Sequence, residues 1–301
     1  MRKIEHKLKT EDKHQLHLVE VCPDQNLPMK EPLLFVHGAI ESGRVFYTES
    51  GKGLAPFLVE QGHPCYILDL RGKGESRPSL QEDCSHNQQD ILDFDFPAAF
   101  DFVANRHPVE KFHIITHSWG GVLINAFLLR SEDNRKSVAS CVHLAVKRRV
   151  RVFNIHRLFY IDLMWLLIGN LIASIKGFLP PRFYGPDGES KGFLRESVRW
   201  IYLNPWTDSK YDYHSQTKSN KLPSALYLTG SKDQCMGHYR DVVDFAIESG
   251  HTVDDVQLLS RKNGYMEDYT HLSILISKRA PQDHFQKIHS FLEKNKVSGA
   301  L

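Results

Sequence analysis

The sequence predicts an α/β fold, a mainly parallel sheet wrapped by helices. Three observations carry this. Short apolar, β-branched runs alternate with helical patterns along most of the chain. Several of those runs are apolar throughout, as buried strands are. The glycine-punctuated and polar motifs each follow one of these runs directly, at the carboxyl end of a strand, where ligands bind in such sheets.

Taken in order, residues 14–21 alternate polar and apolar and read as a strand with one wet face. A turn rich in Pro, Asp and Asn covers 22–31. Pro32 opens a buried strand over 33–36 that ends at His37-Gly38-Ala39-Ile40. A short helix over 54–61 is stopped by Gly62. The next strand, 64–69, runs into a glycine-punctuated turn, 70–76, and a polar loop, 77–89. Pro97 suits the first turn of a helix carrying Phe100 and Val103. A buried strand ends at Thr116, and a buried helix runs from Val122 to Arg130. Strands follow at 138–146, 223–229 and 253–260. Residues 238–249 form an amphipathic helix with Val242, Val243, Ala246 and Ile247 inward and Gly250 as its stop. Pro281 starts a last helix carrying Phe285, Ile288, Phe291 and Leu292.

Composition narrows the function. The chain has 301 residues, 41% hydrophobic and 25% charged, with a formal net charge of +2. That is an ordinary globular balance, and it argues against a nucleic-acid partner. The length suits one α/β domain with an insertion. The five cysteines, Cys22, Cys65, Cys84, Cys141 and Cys235, are dispersed and show no metal spacing. They read as free thiols in a reducing compartment, so a cytoplasmic location is expected. Residues 1–10 are charged and lack the apolar core of a signal peptide.

The chain is organised around Thr116-His117-Ser118-Trp119-Gly120-Gly121. A serine between a buried strand and a buried helix, with glycine two places on, is a nucleophile elbow. The turn lifts the hydroxyl above the sheet edge and aims the Trp119 N–H and the helix start at the same point. The usual pattern is G-x-S-x-G, and Thr116 replaces the first glycine. A serine hydroxyl needs a base, and the base needs an acid to orient it. Asp233 follows one strand and His271 follows the next with its loop.

Four stretches together resemble the α/β-hydrolase superfamily over about three quarters of the chain. They are His37-Gly38-Ala39, the turn from Asp69 through Arg71, Gly72 and Gly74 to Ser76, the elbow, and Gly230 to Asp233 taken with His271. The resemblance implies a mostly parallel eight-stranded sheet with a helical lid. Core residues are then 1–146 and 217–301, and the lid is the insertion 147–216. Ser118 is the implied nucleophile, His271 the base and Asp233 the orienting acid. The Ala39 and Trp119 N–H groups are the implied oxyanion hole. Asp69, Arg71 and His37 are expected to hold loops in place, and His117 and His143 to be packed histidines.

The insertion begins basic, Lys147-Arg148-Arg149-Val150-Arg151, and is very apolar over 158–179. Its longest uncharged run, 163–175, is too short for the roughly 20 residues of a membrane span. Three readings stay open: helices packed on the core, a lid lining an acyl pocket, and an interfacial helix touching lipid with the basic start as electrostatic help. Aromatic residues here (Phe178, Phe183, Trp200, Trp206) favour an apolar substrate, and Trp165, Phe178 and Ile40 are the expected substrate contacts. The expected activity is that of a lidded serine esterase or lipase on a small apolar or medium-chain ester, with no cofactor and no metal. Thioester or amide hydrolysis, acyl transfer and a non-catalytic binding scaffold remain alternatives. An aminopeptidase-like member would need clustered acids, and Asp187, Glu189 and Glu196 form no obvious cluster. The oligomeric state is left open.

Overall fold

A computed structural model describes residues 2–24, 26–108 and 111–296. Its strands, in chain order, are β1 (Arg2–Lys9), β2 (Gln15–Cys22), β3 (Leu33–Val36), β4 (Cys65–Asp69), β5 (Phe112–His117), β6 (Val138–Leu144), β7 (Phe178–Leu179), β8 (Glu189–Ser190), β9 (Ser224–Gly230) and β10 (Val256–Leu259). Eight of them form one sheet in the order β1-β2-β4-β3-β5-β6-β9-β10. The β1–β2 and β2–β4 pairs are antiparallel, and every other pair in this sheet is parallel. This is the α/β-hydrolase arrangement that the sequence motifs imply.

The strands are buried on both faces, so alternate residues serve two cores. Leu34, Val36, Tyr66, Leu68 and Ile114 pack with the helices Phe96–Arg106, Trp119–Arg130 and Tyr239–Glu248. Leu33, Phe35, Cys65, Ile67 and Ile115 pack on the opposite face with Leu54–Glu60 and His284–Lys294. β3 lies between β4 and β5, so the loops after β3 and β5 emerge side by side at the sheet's carboxyl edge.

Several elements depart from the sequence reading. β1 was not expected, because its lysines and arginine mask the alternation of Ile4, His6 and Leu8. It is a charged edge strand, a form that resists edge-to-edge pairing. Pro97 lies in the first turn of Phe96–Arg106, as expected, but that helix continues an earlier helical stretch. An Asn87 capping box starts the helical stretch at Gln88, and a π turn over Ile91–Asp95 carries it into Phe96–Arg106. The π turn changes register just where Pro97 has no N–H to donate. On Tyr239–Glu248 the buried residues are Asp241, Val242, Phe245 and Ala246, and Ile247 is 56% exposed. Phe245 takes the inner face because its ring packs on Trp206 at 5.8 Å.

Between β6 and β9 lie the helix Arg157–Lys176, the small β7–β8 hairpin and the helices Lys191–Tyr202 and Tyr213–Ser219. Tyr213–Ser219 runs across residue 216. Arg157–Lys176 is long and apolar enough to cross a membrane by length and composition, since it runs through Asp162 and past the uncharged run alone. In this structure Ile161, Trp165 and Ala173 bury one side of it.

The basic start of this segment is split: Lys147 and Arg148 are buried, and Arg151 is exposed. Arg148 is fully buried, its Nε donating to Glu248 Oε2 at 2.8 Å and its Nη1 to the Leu203 carbonyl at 2.9 Å. Arg151 reaches Asp244 at 2.9 Å on the surface. Removing one partner of a buried pair strands the other charge. Arg148→Met is therefore expected to lower stability by about 3–5 kcal/mol, and Arg151→Met by less than about 1 kcal/mol. Urea unfolding of the two variants at neutral pH checks the contrast.

Candidate active site

Ser118 sits between β5 and the helix Trp119–Arg130 with φ 50° and ψ −128°, a strained turn for a residue with a side chain. Two close approaches hold it. A Cβ on Gly120 would lie 2.3 Å from the His37 carbonyl oxygen, and one on Gly38 would lie 2.8 Å from Ser118 Cβ. The loop after β3 is thus pressed against the elbow, and only glycine permits it. Thr116 is accommodated without opening the turn. Its hydroxyl bonds His143 Nδ1 at 2.7 Å, and a Cβ on Gly121 would lie 2.8 Å from that hydroxyl. The space the usual first glycine leaves is filled by threonine because Gly121 keeps it free.

Asp233 and His271 meet. Asp233 Oδ2 accepts from His271 Nδ1 at 2.6 Å. Burial alone would raise the Asp233 carboxyl, but the charge and hydrogen bond of His271 outweigh it and hold it below the ordinary carboxylate range. Their loops are locked together: Lys232 N–H donates to the Tyr269 carbonyl at 2.8 Å, and a Cβ on Gly230 would lie 2.1 Å from that same oxygen. Ser118 and His271 line one cavity, with no hydrogen bond between them among the described residues. Such bonds are often long in a ligand-free site. The Ala39 and Trp119 N–H groups have no acceptor among the described residues, and both residues line the same cavity.

His117 is not a merely packed histidine. Its Nδ1 bonds Glu41 Oε2 at 2.8 Å, and its Nε2 bonds the His271 carbonyl at 3.1 Å. Both partners only accept, so the ring carries both protons and is an imidazolium paired with a carboxylate. Glu41 Oε2 also accepts the Gly38 N–H at 3.0 Å. Burial pushes the Glu41 carboxyl up, but the His117 charge and hydrogen bond dominate and bring it down to about 2. Burial disfavours the charged His117 ring, and Glu41 more than compensates, raising its pKa. This one pair therefore joins the loop after β3, the elbow and the backbone of His271. Sequence reasoning had no signal for it beyond Glu41 lying close behind His37-Gly38.

The other loop residues behave as expected. His37 Nδ1–H donates to the Gly38 carbonyl at 2.8 Å, and its Nε2 accepts from Leu70 N–H at 3.1 Å. Asp69 accepts the Gly43 N–H at 2.7 Å, tying the turn after β4 to the neighbouring loop. Arg71 reaches Asp95 and Asp12. Ile40 holds φ 55°, unusual for a β-branched residue. Its N–H donates to Glu189 Oε2 at 3.2 Å, and its carbonyl accepts the Asp187 N–H at 3.0 Å. Glu189 is itself paired with buried Lys73 at 2.7 Å.

The cavity has a volume of about 1520 Å³. Ile40 and Trp165 line it, as expected, and so do Phe183, Phe159, Tyr160, Met164 and the Trp119 ring. Phe178 does not: it lies in β7 paired with Ser190, after Gly177 ends the preceding helix at φ 85°. Trp200 and Trp206 are also elsewhere, buried in an aromatic cluster with Tyr213 and Phe245. Asp187, Glu189 and Glu196 have separate partners: Gly74 N–H, Lys73 and Gln88 N–H.

Comparison with known proteins agrees with the fold. A family model described as the alpha/beta hydrolase fold matches residues 31–171. The chain is 28% identical over 123 residues to ethanol acetyltransferase 1 of Wickerhamomyces anomalus, covering 40% of this chain and 28% of that protein. The same enzyme of Wickerhamomyces ciferrii matches to the same extent. The chain thus spans about 28% of the length of the curated relatives it matches. Among solved structures, a soluble variant of monoglyceride lipase from Saccharomyces cerevisiae superposes with TM-score 0.69 at 13% identity, covering 98% of this chain and 97% of that one. The Pyrococcus furiosus esterase superposes with TM-score 0.59 at 17% identity, covering 98% and 92%.

The Glu41–His117 pair has a pH signature. The lowered Glu41 pKa stabilises the fold above its ordinary value of 4.5, and this is lost as pH falls toward about 2. The raised His117 pKa stabilises below 6.5 and is lost as pH climbs through the folded value. Glu41→Gln is therefore expected to cost about 3–5 kcal/mol, with the gap to the native chain widest between the ordinary values of 4.5 and 6.5. Urea midpoints measured across pH 2–10 test this; a pH-independent gap contradicts the charged pair.

Proposed function

The chain belongs to the α/β-hydrolase superfamily, and from that premise we propose that it is a serine hydrolase cleaving carboxylic esters of apolar or medium-chain acyl groups. One observation carries this reading. Ser118, His271 with its Asp233 partner at 2.6 Å, and the two N–H groups without acceptors all border one largely apolar cavity. His271 Nε2 takes the Ser118 proton as the hydroxyl oxygen attacks the carbonyl carbon. Asp233 holds Nδ1–H, so the ring presents the right nitrogen and its charged form is stabilised. The Ala39 and Trp119 N–H groups receive the oxyanion, each worth about 100- to 1,000-fold in rate. The protonated ring then gives its proton to the departing alcohol, and water repeats the sequence on the acyl-enzyme.

In this reading residues 147–216 are a cap over the site. The outer face of Arg157–Lys176 then meets a lipid surface. Leu163, Leu167, Leu171 and Ile175 are exposed along it at helical spacing. Phe159, Tyr160, Leu272 and Ile276 are both exposed and part of the cavity lining, so the apolar surface continues to the mouth.

A second reading is acyl transfer, in which an alcohol replaces water on the acyl-enzyme. It is favoured by the acetyltransferase name of the curated relatives. Both readings share the same first step.

On 4-nitrophenyl esters from acetate to palmitate, activity is expected to peak at medium or long chains. Ser118→Ala is expected to lower kcat by about four to six orders of magnitude. Equal rates for variant and native protein would refute the serine mechanism. Ethyl ester formation in the presence of ethanol would favour transfer over hydrolysis. Leu167→Glu combined with Leu171→Glu is expected to abolish co-sedimentation with phosphatidylcholine–phosphatidylglycerol vesicles, and retained binding would refute lipid contact.

A further inference from the structure

Among the described residues, Lys147 is the one buried cation lining the cavity that makes no ion pair. The protein's treatment of comparable groups sets the contrast. Lys73 meets Glu189 at 2.7 Å, Arg71 meets Asp95 at 2.7 Å and Asp12 at 2.8 Å, and Arg148 meets Glu248. Each follows the rule that an interior charge needs a partner. Lys147 is only 7% exposed and makes no hydrogen bond or ion pair among the described residues.

Its surroundings do not supply the missing partner. The nearby carboxylates act on it only through space. Asp233 gives its Oδ2 to His271 at 2.6 Å. Asp241 Oδ1 accepts the N–H groups of Arg151 at 3.0 Å and Val152 at 3.3 Å, and its Oδ2 has no partner. Burial lowers the Lys147 pKa, and Cys235, Asp241 and Asp233 offset this only in part. What Lys147 does face is the cavity, which it lines together with Ser118, His271 and Met236. The other cations of that lining differ: Arg44 pairs with Glu49 at 3.1 Å on the surface, and Arg182 is exposed.

We propose that Lys147 is an anion-binding subsite of this cavity, so that the substrate is an ester carrying, away from its scissile carbonyl, a carboxylate or phosphate group that pairs with the Lys147 ammonium. The inference rests on the ester-hydrolase reading and narrows it from apolar esters to amphiphilic anionic ones. A partly enclosed ammonium gains more from such a pair than a surface lysine does, because less water competes for it. A neutral ester of the same length leaves the charge unmatched, so the site discriminates by what it fails to satisfy.

The test compares matched pairs. Half-esters of dicarboxylic acids, from 4-nitrophenyl hydrogen succinate to hydrogen sebacate, are set against their methyl-capped diesters. Anions on the leaving group are covered by 4-carboxyphenyl octanoate against its methyl ester. The same pairs bearing phosphate in place of carboxylate separate the two anions. The readout is the ratio of kcat/KM for the anionic over the neutral member. In the native protein at least one pair is expected to favour the anion, with the ratio falling about 10- to 100-fold in Lys147→Met and surviving in Lys147→Arg. A ratio that Lys147→Met leaves unchanged, including an equal fall of both rates, overturns the proposal and assigns Lys147 to charge balance around Asp233 and Asp241. Binding of the same pairs to Ser118→Ala protein reads the preference without turnover. A native enzyme that hydrolyses none of the esters refutes the hydrolase reading, while the binding ratio still decides the role of Lys147.

Discussion

The buried pair of Glu41 and His117 is the interaction on which the geometry of the site depends. Glu41 comes from the loop after β3 and His117 from the end of β5, and their remaining hydrogen bonds go to backbone groups of two more positions, Gly38 and His271. A side chain can be held no more exactly than the backbone that carries it. Here the backbones of the loop after β3, the turn at Ser118 and the His271 loop are tied through one buried charge pair. The arrangement works because both ring nitrogens of His117 and Oε2 of Glu41 are engaged in a largely buried place. The glycines at 38, 120 and 230 permit the backbone approaches the pair then secures.

A second buried pair extends the same logic outward. Glu189, in the segment after β6, pairs with Lys73 and also holds the N–H of Ile40. Ile40 keeps an unfavourable backbone angle next to Ala39, and the covering segment is what stabilises it there. The segment after β6 therefore shapes the loop after β3 as well as lining the cavity. The outer side of Arg157–Lys176 is apolar, while Lys147 and Arg148 at the start of the segment are buried.

Ser118, Asp233 and His271 stood out in the sequence by their order at strand ends and by the family resemblance, and the structure joins Asp233 to His271 and puts Ser118 and His271 on one cavity. Glu41 and His117 are 76 residues apart, and nothing in either local pattern says they meet. Lys147 stood in a basic run that reads as surface, and burial reversed its meaning. Phe178, Trp200 and Trp206 were read as pocket aromatics because apolarity reports a wish to leave water without saying which interior receives the ring. Pro97 does sit in the first turn of Phe96–Arg106, but no local signal announced the π turn that joins this helix to the stretch upstream.

What the sequence determined by itself was the alternation of strand and helix, the two-faced burial of the sheet, and the residues delivered to its carboxyl edge. These follow from local periodicity and from glycine where backbones must touch, and both are written residue by residue. What only the tertiary structure decided was pairing: which acid meets which histidine, which arginine is neutralised, which lysine is left facing the cavity, and which aromatic rings line it. Pairing depends on distances between segments far apart in the chain, and on how much water each contact excludes. Neither is a property of any stretch of sequence taken alone.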